Sequence, residues 1–222
     1  MNQTLQNTLA KLGPLQNTIS EERKALLRKL AGYISEKLAK RETVKMSFIC
    51  TENSRRSHLS HLISAAIIKH FGLPIQTFSG GTKVSACNPR TIAALERAGF
   101  IIEKPLGENP KYRLVFEPND EPIFAYSKLY DAPENPQDSF IAIMVCGHAD
   151  ANCPFIPNAE KRFAVTFDDP KVADDTDLEA ATYDERLLEI GSQFYYLFQS
   201  MAWKNKGINH MLYSVFKLFF RL

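Results

Sequence analysis

The chain has 222 residues, 45% hydrophobic and 23% charged, with a net charge of +2. That suits a soluble globular protein with a real core and gives no footing for nucleic acid or an acidic membrane surface. No run is apolar for long enough to span a bilayer, residues 1–12 lack the pattern of a signal peptide, and four cysteines are too few for a disulfide scaffold. Reduced thiols in a cytoplasmic setting are therefore expected.

Along the chain, residues 3–12 read as a short helix broken at Gly13-Pro14. Residues 20–40 read as a longer one, with Ser20 as its cap and Leu26, Leu27, Leu30, Ile34 and Leu38 as its apolar stripe. Residues 1–42 thus form a helical N-terminal extension. The domain proper, 43–203, begins with the β-type run 44–49. Residues 57–71 are helical and stop at Gly72. Residues 75–78 read as a strand turning at Ser79-Gly80-Gly81, and 89–98 as a helix capped by Asn88 and entered through Pro89. Residues 111–117 and 122–128 are β-like runs on either side of a loose connection, which predicts an extra hairpin. A Pro-rich loop covers 131–138. The run 140–145 is apolar throughout, as in a central parallel strand, and 163–167 is a further strand. A long helix covers 178–202. Residues 204–222 are a dense apolar tail suited to packing, to dimer formation or to touching a membrane surface. Strands alternating with helices indicate an α/β domain with a mainly parallel sheet.

The chemistry concentrates at Cys50-Thr51-Glu52-Asn53-Ser54-Arg55-Arg56-Ser57. A strand runs into a tight loop and a helix follows, so the backbone N–H groups of 51–57 can converge on an anion beside a helix N-terminus. Cys50 stands at the strand end and Arg56 six residues later. Loop amides and a nearby arginine favour a thiolate, the reactive form of cysteine. A guanidinium fork matches two oxygens of a tetrahedral oxyanion, and a serine hydroxyl can bond the sulfur. Asn53 tolerates the left-handed backbone that such a loop requires. Read locally, the same residues also fit an inert buried cysteine beside a solvated arginine.

This loop, Cys-x5-Arg-Ser after a first strand, resembles that of the low-molecular-weight protein tyrosine phosphatases and their relatives, the thioredoxin-coupled arsenate reductases. The similarity covers roughly residues 44–202. It implies a three-layer flavodoxin-like α/β domain with a mainly parallel four-stranded sheet. It also implies that Cys50 attacks the oxyanion, Arg56 steadies its oxygens, and Asp169, directly before Pro170, protonates the leaving oxygen. The segment from Cys146 to Cys153 resembles the redox-paired segment of the reductases. The resemblance then implies a relay in which Cys146 attacks Cys50 as arsenite leaves and Cys153 resolves it to a Cys146–Cys153 disulfide, which a thioredoxin-type partner reduces. Cys146 and Cys153 also admit other readings: a buried strand residue and a loop thiol, or a zinc site with His148 and Asp150, for which no second ligand group appears.

The chain departs from the family at several points. Glu52 stands where the family usually has glycine, and Arg55 adds charge. His61 stands where related reductases carry a glutamate, so no bound ion is carried over. Residues 105–138 are longer than in compact members, and Cys87 matches no catalytic position. The expected activity is arsenate reduction or, alternatively, phosphomonoester hydrolysis. A non-catalytic anion-binding module and a redox sensor are the rivals from other classes. The expected partners are a phosphate- or arsenate-like substrate, a thioredoxin-type reductant and a second copy docking through the terminal extensions. Nucleic acid, cofactor and metal are not expected.

Overall fold

The computed structural model describes residues 1–152 and 155–219, with side chains up to 202. Helix α1 (Gln3–Leu15) opens on Asn2, whose side-chain oxygen accepts the Leu5 N–H at 3.0 Å. Pro14 does not break it, and the helix runs one residue further, to Leu15. A proline in the final turn forfeits one backbone bond, while Leu5, Leu9 and Leu12 on the same face are buried. Helix α2 (Glu21–Ala39) starts at Ser20, whose hydroxyl accepts the Arg23 N–H at 3.2 Å. Both N-terminal helices pack on the long C-terminal helix described below, and their leucines join the central core cluster.

Next come β1 (Val44–Cys50), α3 (Arg56–Phe71), β2 (Ile75–Gly81) and α4 (Pro89–Arg97). Gly72 ends α3 in the left-handed region, at φ 65°, which glycine adopts without strain. The insertion contributes β3 (Ile101–Glu103), β4 (Tyr112–Val115) and β5 (Ile123–Ala125). The chain then passes through β6 (Phe140–Met144), α5 (Gly147–Asn152) and β7 (Ala159–Ala164) to α6 (Glu179–Phe219). The main sheet has the order β2-β1-β6-β7, parallel throughout, with helices on both faces. This is the expected mainly parallel four-stranded α/β domain. Its central strands β1 and β6 are almost wholly buried, which accounts for their unbroken apolar runs. Phe48 of β1 meets Phe194 of α6 edge to face, with centroids 5.1 Å apart. Among the described residues no helix is long and apolar enough to cross a membrane.

Several boundaries differ from the sequence reading. Ser79-Gly80-Gly81 is not a turn but the end of β2, paired with β1 through Cys50 and Gly81. The expected hairpin is a three-stranded antiparallel sheet, β3-β4-β5. Its first strand has three residues, too few to show alternation. The strand expected over 163–167 begins earlier, at Ala159, and ends at Ala164. The segment after Cys146, expected as loop, forms the short helix α5. The final helix does not stop near 202 but continues to Phe219. The side-chain contacts of 204–222 lie outside the described residues.

Candidate active site

The C-terminal ends of β1 and β6 and the loops that follow them form a cleft, the usual ligand position in an open parallel sheet. Cys50 ends β1 and is buried. Its sulfur accepts the Asn53 N–H at 3.2 Å and lies 3.1 Å from the Ser57 hydroxyl. Asn53 does adopt the left-handed conformation, at φ 47°. Its amide nitrogen donates to Ser57 Oγ at 2.9 Å, and its amide oxygen accepts the Lys128 N–H at 3.1 Å. The loop is thus braced from within and from the insertion. Gly81 braces it from β2. A Cβ there would lie 2.8 Å from the Asn53 nitrogen and 2.9 Å from the Thr51 carbonyl oxygen, so only glycine permits this approach.

The cleft holds about 260 Å³, lined by Cys50, Arg56 and Asp169 together with Lys83, His148 and Lys171. Arg56 donates to Asp169 Oδ2 at 2.7 Å and to the Phe167 carbonyl at 3.0 Å. Asp169 also caps the short 3-10 turn that follows it, accepting the Lys171 N–H at 3.1 Å. The structure therefore brings Cys50, Arg56 and Asp169 to one cleft, although 113 residues separate the arginine from the aspartate.

Glu52 forms an ion pair with Lys83 at 2.9 Å. Its hydrogen bond to Lys83 holds the carboxyl below its ordinary pKa, so it is ionised with its charge compensated beside it. Arg55 donates to the Tyr183 hydroxyl at 2.8 Å and to Asp174 at 3.1 Å. It serves a buried network, and its guanidinium is 4.0 Å from Asp169. Ser54 turns its carbonyl to the Asn88 N–H at 3.0 Å, tying the loop to the start of α4.

Cys146 stands at the β6 end, fully buried. Its sulfur accepts the Ala149 N–H at 3.3 Å and lies 3.5 Å from Thr51 Oγ1. The same Thr51 oxygen is 3.2 Å from His148 Nδ1. One hydroxyl thus joins the residue after Cys50 to Cys146. Cys153 lies outside the described residues. Cys87 is a buried core residue, and burial pushes its thiol far up.

Lys83 and Lys171 do not stand out in the sequence as site residues, and His148 does so only as a zinc ligand, not as part of the oxyanion cleft. Lys83 carried a usable signal, because a parallel β2 beside β1 places the residues after Gly81 against the Cys50 loop. The positions of His148 and Lys171 depend on long-range folding that leaves no local pattern.

No family model matches the chain. Arsenate reductase 2 of Staphylococcus epidermidis is 31% identical over 123 residues, covering 55% of this chain and 76% of that protein. The arsenate reductase of Bacillus licheniformis is 28% identical over 147 residues, covering 66% and 88%. Among solved structures, a low molecular weight phosphotyrosine phosphatase from Vibrio cholerae O395 has 18% identity and a TM-score of 0.48, covering 74% of this chain and 99% of that chain.

Proposed function

Because this chain belongs to the arsenate reductase family, we propose that it reduces arsenate, with Cys50 as nucleophile and Cys146 and Cys153 as the redox outlet. One observation carries the choice of reduction: the Cys146 sulfur lies 3.5 Å from the hydroxyl of Thr51, the residue next to Cys50. A second cysteine so close to the nucleophile's own loop is what a thiol relay requires, and phosphoester hydrolysis needs none.

In the proposed reaction the oxyanion sits over Cys50 on the loop amides of 51–57. The guanidinium of Arg56 exchanges part of its contact with Asp169 for the oxyanion's oxygens. The Cys50 thiolate attacks arsenic(V), a sulfur–arsenic bond forms, and one oxygen leaves as water after taking a proton from Asp169. The Cys146 thiolate then attacks the Cys50 sulfur. The sulfur–arsenic bond breaks, its electron pair stays on arsenic, and arsenite leaves as arsenic(III). Cys153 attacks Cys146, which frees Cys50 as a thiolate and stores the oxidising equivalents in a Cys146–Cys153 disulfide. An external dithiol of the thioredoxin type returns that disulfide to two thiols, and a cytoplasmic setting suits such a cycle.

The test is arsenate reduction coupled to thioredoxin, alongside hydrolysis of an aryl phosphate. Cys50→Ser is expected to abolish both activities. Cys146→Ser and Cys153→Ser are expected to abolish reduction and spare hydrolysis. Reduction that survives Cys146→Ser rejects the relay, and activity that survives Cys50→Ser rejects the nucleophile. The second reading, phosphatase action alone, is favoured by the Arg56–Asp169 pair at 2.7 Å, which sets an acid beside the anion site. It predicts hydrolysis with no arsenate turnover in the wild type.

A further inference from the structure

A second, larger cavity of about 670 Å³ lies between α3, β2 and the insertion, and shares no lining residue with the Cys50 cleft. Its walls include Ala65 and Ile68 of α3, Phe78 of β2, Phe124 of β5 and Tyr126 just beyond. Its volume falls in the range of small-molecule sites. The wall also contains Lys128, which is only 8% exposed.

Burying an ammonium group is costly unless an anion accompanies it. Among the described residues Lys128 makes no ion pair, and its ammonium stands over the Tyr126 ring, 4.8 Å from the centroid. Lys111 stands over the rings of Phe124 and Tyr126 at 4.8 and 5.1 Å, also without an ion pair among the described residues. The acidic groups of the wall supply only part of the charge: Glu134 acts on Lys128 and Lys111 through space but makes no ion pair with either among the described residues. Glu134 is exposed and accepts from the Tyr126 hydroxyl at 2.6 Å, and Glu121 is exposed. The third lysine of the wall, Lys69, is already paired with Asp120 at 2.5 Å. The cavity therefore combines an aromatic wall with two cations, buried Lys128 and exposed Lys111, that have no ion-pair partner among the described residues.

We propose that this cavity binds a small organic anion with a flat apolar body, the body lying against Phe78, Phe124 and Tyr126 and the acid group pairing with Lys128. A sulfonate, carboxylate or phosphate on an aromatic ring has that chemistry. Burial lowers the Lys128 pKa to about 8, and a bound anion would offset that penalty. The site is separate from the oxyanion cleft and does not depend on the reaction assigned there.

Calorimetric titration of the full chain with naphthalene-2-sulfonate, and with the uncharged naphthalene-2-methanol, tests this. One sulfonate is expected to bind per chain, undisplaced by excess inorganic phosphate. Lys128→Met, which keeps the apolar stem, is expected to weaken the sulfonate by about tenfold or more and leave the alcohol unchanged. Gln76→Trp, at an exposed lining position, is expected to weaken both by filling the cavity. If Lys128→Met does not fold, Gln76→Trp and Lys111→Met carry the test. No sulfonate binding by the wild type overturns the proposal, as does displacement by phosphate, unchanged affinity in Lys128→Met, or unchanged affinity in both substitute variants.

Discussion

His58 and His61 lie on α3 behind the Cys50 loop, both buried. Burial is the main reason their pKa values fall, with the nearby Lys128 charge second. His58 is held well below its ordinary value, and His61 falls to about 3. An unfolded histidine titrates near 6.5. Between about 3 and 6.5, then, the unfolded chain binds more protons than the folded one, so stability falls as the pH drops through that window. At pH 5 His61 is expected to have cost about 2 kcal/mol relative to neutral pH, and His58 adds to the loss in the same direction. Urea midpoints at pH 7 and pH 5 should show the drop, and His61→Gln should shrink it. An unchanged drop in His61→Gln would show that other groups set the acid limit. Among the site residues, Asn53 and Ser57 could be read one by one, because a left-handed loop position and a hydroxyl beside the sulfur are local needs. The Arg55 bond to Tyr183 could not, since it spans 128 positions.

At the scale of elements, the site depends on β2 reaching Gly81. A Cβ at Gly81 would lie within 3.0 Å of three backbone atoms, those of Lys83, Asn53 and Thr51. Backbone cannot rotate away as a flexible side chain can, so the loop must shift. Asn53 supplies an N–H to Cys50, and moving it changes the setting of the proposed nucleophile. Gly81→Ala is expected to destabilise the fold by about 1–3 kcal/mol. It should also lower turnover by more than tenfold through the displaced loop, the order expected when a catalytic group is moved by about an ångström. Thermal unfolding and steady-state kinetics on one preparation check both, and wild-type turnover would remove the loop-bracing role. Ser79-Gly80-Gly81 looks like a turn in sequence because glycine pairs usually mark one. Here the glycines admit Tyr130 and the Cys50 loop at close range, a demand visible only once β1 and β2 are paired.

For the whole molecule, the N-terminal helices are bound into the core rather than hung beside it. Helix α1 packs on α6 with Leu5, Leu9 and Leu12 buried, and Asn2 donates to the Gly99 carbonyl at 2.7 Å. Leu12→Ala is expected to cost about 2–5 kcal/mol, as for other large-to-small core changes. It should lower the single unfolding transition, not only loosen one end. A wild-type urea midpoint in this variant would show that α1 folds apart from the rest.

The sequence by itself determined the parallel α/β class, the α2 and α4 caps, the αL stop at Gly72 and the strand–loop–helix around Cys50. Each rests on contacts within a few residues or on one apolar period. Tertiary structure alone decided that Glu52 is balanced by Lys83, that Arg56 meets Asp169, that Thr51 links to Cys146, and that Lys128 is buried beside an open cavity. Those outcomes depend on which distant segments pack together, and a charge or a hydroxyl leaves no periodic mark in the chain to announce its partner.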